Sequence, residues 1–404
     1  MAEERSHSHR LMFVALAAVA LVTILGLVRF VTRGKPPGAA TPGADADATL
    51  PEGWMLSGME DPPLREETAR EIGRKKAVRG VGLLEQHAKS DPDIKVRVAC
   101  LWALGELGRP EPVPTICASI CEQDAGIRAA AAEALGKIEH DLATPALIRA
   151  SRDKAVEVRR LAASALRRKP GPDASEALRK SSEDQSSAVR LAAVAALAER
   201  EDDVSRLALA RRAVVDEDDA VRSSAAAALR RLGDAAVPHL CRALPSAQTA
   251  AGRKLGVCLA AELGGVNAAP GLIRAMEKAQ EVSTVIGNGI YEEAVAALSG
   301  LGAAVVAPLA QAAFGEDCTL FGKAAAAEIF SRIGAPAAEV LSRHLVEKGS
   351  DLPPEELAVW VKVLGNIGDA AALPALERLA GHASERVRNA VSQAREKIRA
   401  RGTR

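Results

Sequence analysis

The chain has 404 residues, 48% of them hydrophobic but only 2% aromatic, and a formal net charge of +1. So near-neutral a balance excludes whole-molecule electrostatic attraction to nucleic acid or anionic lipid. Almost no aromatics means that any core is built from Ala, Leu, Val and Ile in closely packed helices, and alternating β-branched runs that would signal strands are nearly absent.

From the N-terminus, residues 1–10 read as a short polar tail, followed by an apolar segment over 11–31 whose first 18 residues, LMFVALAAVALVTILGLV, carry no charge. As a helix those 18 residues span about 27 Å, close to the hydrocarbon thickness of a bilayer, and Arg29 can snorkel to the interface. The stretch Arg29-Phe30-Val31-Thr32-Arg33 offers no small-x-small cleavage site, so an uncleaved single-pass anchor is expected rather than a signal peptide. Residues 32–61, rich in Pro, Gly, Ala and Asp, read as a flexible tether. The flanking charges leave orientation nearly balanced. A short tail before an apolar helix favours export, so the expectation is a bacterial inner-membrane protein with the remainder outside the cytoplasm, the cytoplasmic face being the alternative.

From residue 62 to 400 one pattern repeats. A Val/Ile-Arg pair places arginine at Arg97, Arg128, Arg159, Arg190 and Arg222, and the same slot recurs as Arg253, Tyr291, Lys323, Leu357 and Arg388. Ten registers at about 31 residues describe an array of stacked units, because a unit this short cannot bury its own apolar face. In residues 216–246, Val221, Ala225, Ala228, Leu229 and Leu232 fall on one helical face, Gly233 stops that helix, and Pro238 opens a second one with Val237, Leu240, Cys241 and Leu244 as its stripe. Each unit is therefore helix, turn, helix, and the fold class is an all-α solenoid of about ten repeats preceded by one transmembrane helix. Residues 401–404 read as a basic tail.

Most of the arginines follow an aspartate: Asp91 precedes Arg97, Asp124 precedes Arg128, Asp153 precedes Arg159, Asp184 precedes Arg190 and Asp216 precedes Arg222. An anion-binding stripe is one reading. The favoured one is a structural ladder, with aspartates at helix N-termini and guanidiniums bridging to the adjacent turn.

With the motif D-x(3–5)-VR-x-x-A-x-x-AL-x-x-LG in hand, the chain resembles HEAT-repeat proteins, of the bacterial group similar to the phycobilin lyase HEAT-like repeats, over about residues 64–400. The resemblance implies a right-handed superhelix whose second helices line a concave, partner-binding surface, and members that are mostly scaffolds with a minority of enzymes. The di-iron hydroxylases of this fold use His-Glu pairs, and none of the seven histidines here is followed by glutamate. The glycosylases use tryptophan on a basic face, whereas Trp54, Trp102 and Trp360 are far apart in sequence. Neither a Ser/His/Asp pattern nor a phosphate-binding loop is present, so no catalytic residue, cofactor or metal site is expected. Cys117 and Cys121 lie one turn apart but lack further ligands, and small buried side chains are the favoured reading of the cysteines.

Two segments depart from regularity enough to suggest a partner surface, although a solvated charge pattern is the favoured reading of the first and a longer inter-helix turn that of the second. Between residues 149 and 180 there are ten basic and four acidic residues, an excess of six, with Arg159, Arg160, Arg167, Arg168 and Lys169 at its centre. The 38-residue interval from Arg253 to Tyr291 adds a glycine-containing apolar loop over 280–291 that bears Ile286, Asn288 and Tyr291. The functional expectation is a membrane-anchored scaffold docking a protein on its concave face, with no chemistry of its own; the alternative is a regulatory or lyase-type protein acting on a bound small molecule. Nucleic acid is not expected, because no aromatics interleave with the basic residues for base stacking.

Overall fold

The computed structural model describes residues 60–402 apart from 316 and 350. The expected anchor at 11–31, and the tether up to residue 59, lie outside these residues, as do the last two of the basic tail. Among the described residues every regular element is helical. The first helix, Pro62–Arg74, begins at the paired prolines, and the last, Glu385–Gly402, runs into the first two residues of the expected tail. Arg401 belongs to the fold, since its guanidinium donates to the carbonyls of Asn366 and Ile367 at 2.6 and 3.0 Å and closes the end of the helix Pro354–Ile367.

Two rows of helices stack side by side. One row contains the arginine-bearing helices, including Ile94–Leu107, Ala125–Lys137, Val156–Leu166, Ser187–Leu197, Asp219–Leu232 and Ala250–Gly264. The other contains mostly shorter helices, several opened by proline, such as Val113–Ser119, Ala143–Ala150, Pro172–Ser181 and Val237–Ala243. The arginine row packs backbone on backbone. A Cβ on Gly105 would lie 2.8 Å from Ala134 Cα, one on Gly73 2.9 Å from Ala103 Cα, and one on Gly365 2.7 Å from Ala394 Cα. Up to Leu197, and again at the C-terminal end, the helices of this row lie alongside one another over much more of their backbone than those of the proline row. A stack whose two rows differ in spacing must curve toward the tighter one, so the arginine row lines the inside. Counted from the arginine motif these are the first helices of each unit; counted from the helix before it they are the second.

The core is a continuous seam of small and aliphatic side chains between the rows, with Leu104, Leu135, Leu166, Leu197 and Leu229 buried at equivalent points. Among the described residues, fully buried rings enter only toward the C-terminus. There Phe314 and Phe330 pack against the fully buried Trp360, with ring centroids 4.8 and 6.0 Å away.

Candidate functional site

The ladder arginines each reach two ways. Arg159 donates through Nε and Nη2 to both oxygens of Asp184 at 2.7 and 2.9 Å, while Nη1 donates back to the carbonyls of Asp153 and Lys154 in its own turn. Arg128 holds Asp153 at 2.6 and 2.8 Å, and Arg190 holds Asp216 at 2.8 Å through both nitrogens. The carboxylate also braces its own turn by accepting the backbone N–H two residues on, from Ala155, Ser186 and Asp218. Each aspartate thus pairs with the arginine of the preceding repeat, not with the one that follows it in sequence, and sits two residues before the helix cap.

Three members of the expected ladder are placed differently. Asp124 caps its own helix by accepting from the Ile127 N–H at 3.0 Å, and Arg97 pairs instead with Glu122 at 2.8 Å. The register explains this, because Glu122 stands 25 residues after Arg97, as Asp153 does after Arg128. Arg222 finds no carboxylate in the next repeat: position 247 is a buried alanine, so the guanidinium turns to Asp219 and to the carbonyls of Asp216 and Glu217. Conversely, Arg65 is an additional rung at the N-terminal end, donating to both oxygens of the buried Asp91 at 3.0 Å. It follows leucine rather than valine, but its 32-residue distance to Arg97 was the readable signal. Burial opposes ionisation of Asp91, Asp153 and Asp184; the arginine and backbone hydrogen bonds outweigh it and hold all three below the usual aspartate range.

The basic cluster does not form a free cationic surface. Arg159 is spent on Asp184, Arg160 on Glu157 at 2.6 Å and Arg167 on Glu199 at 3.1 Å. Lys169 is buried, with its ammonium on the Ile138 carbonyl at 2.5 Å, and desolvation lowers its pKa. Arg200, one repeat on, donates in turn to the Lys169 carbonyl at 2.8 Å, so these residues form a second, backbone-capping ladder. Arg167 and Arg168 are the exposed members, and Arg168 stands on the edge of an open cavity of about 1110 Å³ that also meets Glu139, Asp141, Asp173 and Glu176.

The expected loop over 280–291 is helical. Ala269–Val282 and Thr284–Gly300 are separated by Ser283 alone, so the added residues lengthen two helices rather than extending a loop. Tyr291 fills the arginine slot: its hydroxyl donates to Glu328 at 2.5 Å, its ring lies 5.5 Å from Phe321, and burial followed by that hydrogen bond raises its pKa to about 12. Ile286 is half-buried against the core, whereas Asn288 is exposed beside Val285.

What the inner row leaves open to solvent is a mixed, largely small-residue strip. The position after each arginine carries Val98, Arg160, Leu191 and Ser223, with Ala129 buried at the remaining one, and the fifth after it carries Trp102, Glu133, Ser164, Ala195 and Ala227. Trp102 is half-buried, with the Lys137 ammonium 5.8 Å from its ring centroid. Lys137 also binds Glu106 across the repeat boundary at 2.8 Å. Trp102 escaped the sequence reading because it was weighed as a member of a tryptophan cage; as a single aromatic on a shallow face it is a candidate anchor. Cys100 and Cys241 are buried, and burial pushes each to about 12, whereas Cys121 and Cys258 are exposed. No group of three or more metal-ligating side chains exists among the described residues.

The family model described as HEAT repeats matches residues 81–167 and 149–230, and that described as PBS lyase HEAT-like repeat matches 221–244. The chain carries HEAT repeats. No curated protein matches the chain. Among solved structures, an engineered protein is 20% identical with a TM-score of 0.37, covering 86% of this chain and 98% of its own. The complex of CpcE and CpcF of phycocyanin lyase from Nostoc is 20% identical with a TM-score of 0.36, covering 64% and 99%. Human deoxyhypusine hydroxylase is 18% identical with a TM-score of 0.29, covering 82% and 99%. At these scores the chains do not superpose as whole bodies, and no function follows from the likeness.

Proposed function

We propose that this HEAT-repeat chain is a scaffold, tethered to a membrane through residues 11–31, that docks a protein or peptide along its inner row and performs no chemistry itself. The observation that carries this reading is the division of labour among side chains. The guanidiniums and carboxylates that could act chemically are largely consumed in the repeat ladders, while the inner strip around Val98, Trp102, Leu191 and Ala195 is left uncovered. Aromatic anchors in such strips carry a disproportionate share of binding energy, on the order of 2 kcal/mol or more each.

A photo-crosslinking residue at Glu133, on the inner strip, tests this in cells against one at Lys180 on the proline row. A discrete adduct from Glu133 that Trp102→Ala weakens supports inner-face docking; adducts from Lys180 alone sink it. Absorbance and metal content of the purified protein test the small-molecule alternative, since a stoichiometric chromophore or metal would replace the scaffold reading. Alkaline phosphatase fused to the C-terminus tests the tether and its direction: activity places the repeats outside the cytoplasm, and its loss on deleting residues 11–31 identifies that segment as what carries them there.

A further inference from the structure

The inner row is not uniformly tight. Asp219–Leu232 and Ala250–Gly264 make the fewest close approaches of any neighbouring pair in it. This is also where the ladder lapses, because Ala247 stands where the next repeat would offer Arg222 a carboxylate. Arg253, the next in line, likewise spends Nη1 on the carbonyls of Ala247 and Gln248.

On the outer side the same boundary is held firmly. Ala250–Gly264 rides on the outer row one repeat back: a Cβ on Gly252 would lie 2.0 Å from the Val214 carbonyl oxygen, and one on Gly256 2.6 Å from Val214 Cγ1 and 2.7 Å from Leu244 Cδ2. Two glycines thus bring this helix down onto Val214, in the helix Asp203–Val215. Across the inner gap runs one exposed ion pair. Arg230 donates from Nε and Nη2 to Glu262 at 3.0 and 3.1 Å, with both side chains about half exposed at 48% and 50%.

A contact fixed on one side, a gap on the other and a clasp across the gap are the parts of a hinge. We infer that residues 219–258 form a hinge about the Val214–Gly252 contact, which lets the arrays before and after it swing and changes the width of the inner face. The Arg230–Glu262 pair holds it toward the closed state. A solvent-exposed pair is weak and screened by salt, so the clasp yields to ionic strength or to a competing carboxylate. The ladder rungs, buried and bidentate, do not.

Double electron–electron resonance on the full-length chain tests this, with Cys117, Cys121, Cys258 and Cys318 replaced by serine. Labels at Lys95→Cys and Lys362→Cys span the boundary, and a control pair at Lys95→Cys and Ala195→Cys lies wholly before it. The spanning distribution is expected to be broader than the control and to move to longer distances in Glu262→Gln, or between about 0.05 and about 0.5 M salt. The control should move in neither case. A spanning distribution as narrow as the control, or one that neither Glu262→Gln nor salt displaces, overturns the inference.

Discussion

The repeats before Leu232 and those after Ala250 are the same helical hairpin held together by different means. In the first set the registers are 31 or 32 residues apart, the inner helices meet through glycine and alanine, and buried guanidinium–carboxylate rungs fix each repeat on the next. In the second the intervals are irregular, at 38, 32, 34 and 31 residues. The slot is taken by Tyr291 on Glu328 and Lys323 on Glu356, and Trp360, Phe314 and Phe330 pack into the seam. Regular spacing allows backbone approach, and close backbones place a short Asp–Arg rung in reach. Where spacing drifts, volume has to come from large rings and longer polar pairs. The contrast teaches that register and bulk are alternative ways of binding one repeat to its neighbour.

The largest way to break this contrast is to remove the bulk. Trp360→Ala empties a site that is fully buried and bounded by two other rings, which costs about 3–5 kcal/mol. The loss should fall on the second set alone, since a solenoid repeat interacts only with its neighbours. Chemical denaturation followed by hydrogen exchange on segments 62–232 and 250–402 separates the two; equal loss of protection in both would abolish the distinction.

The complementary break removes a rung. Arg128→Ala leaves Asp153 charged and largely buried, the two side chains being 5% and 11% exposed, and should cost about 2–4 kcal/mol in the first set. Arg167→Ala is the control. Its pair with Glu199 is 40% and 49% exposed, so the change should stay within about 0.5 kcal/mol. Similar losses from the two variants would mean that the ladder is ornament rather than attachment.

How far these features were legible in the sequence follows from the same contrast. The period, the helix pair and the rung chemistry of the first set are written in short, strictly spaced motifs, and the pairing differs from the simplest reading only in direction: Asp153 answers Arg128, not Arg159. That direction depends on how far one helix is displaced along its neighbour, which no local motif encodes. For the basic cluster a partner surface stayed open beside the favoured solvated pattern because linear charge counting does not see Glu199 or the Ile138 carbonyl, about one repeat away. The 280–291 segment misled because its glycines suggest a loop, whereas Gly287 and Gly289 sit inside a helix where bulk would strike Gln280 and Arg253.

Acid should sharpen the comparison by a smaller margin. Asp91, Asp153 and Asp184 titrate below their ordinary range in the folded chain. A carboxylate depressed by folding contributes stability above its unfolded pKa of about 3.9, and that contribution is lost as pH falls through the folded value. The first set should therefore lose stability more steeply than the second below about pH 4. Segment-resolved hydrogen exchange between about pH 3 and about pH 6, corrected for intrinsic rates, checks this. Parallel profiles would show that the rungs do not set acid stability.

The smallest effect runs the other way, by giving the boundary the rung that it lacks. Position 247 lies 25 residues after Arg222, the interval that separates Asp153 from Arg128 and Asp184 from Arg159. Arg222 already makes the two backbone contacts of a ladder arginine, to the carbonyls of Asp216 and Glu217. Ala247→Asp should complete the pair, with a net gain of about 0.5–1.5 kcal/mol, the size of one hydrogen-bonded contact after desolvation. Its diagnostic effect is on coupling rather than on stability. Joining the two arrays should draw their unfolding midpoints together and narrow the Lys95–Lys362 distance distribution. Pairing Ala247→Asp with Arg222→Ala in a double-mutant cycle separates a new rung from a merely tolerated aspartate, because only a formed pair gives a favourable coupling energy. Zero coupling would place the Arg222 guanidinium out of reach of position 247 and trace the missing rung to the splay of the helices rather than to the missing carboxylate.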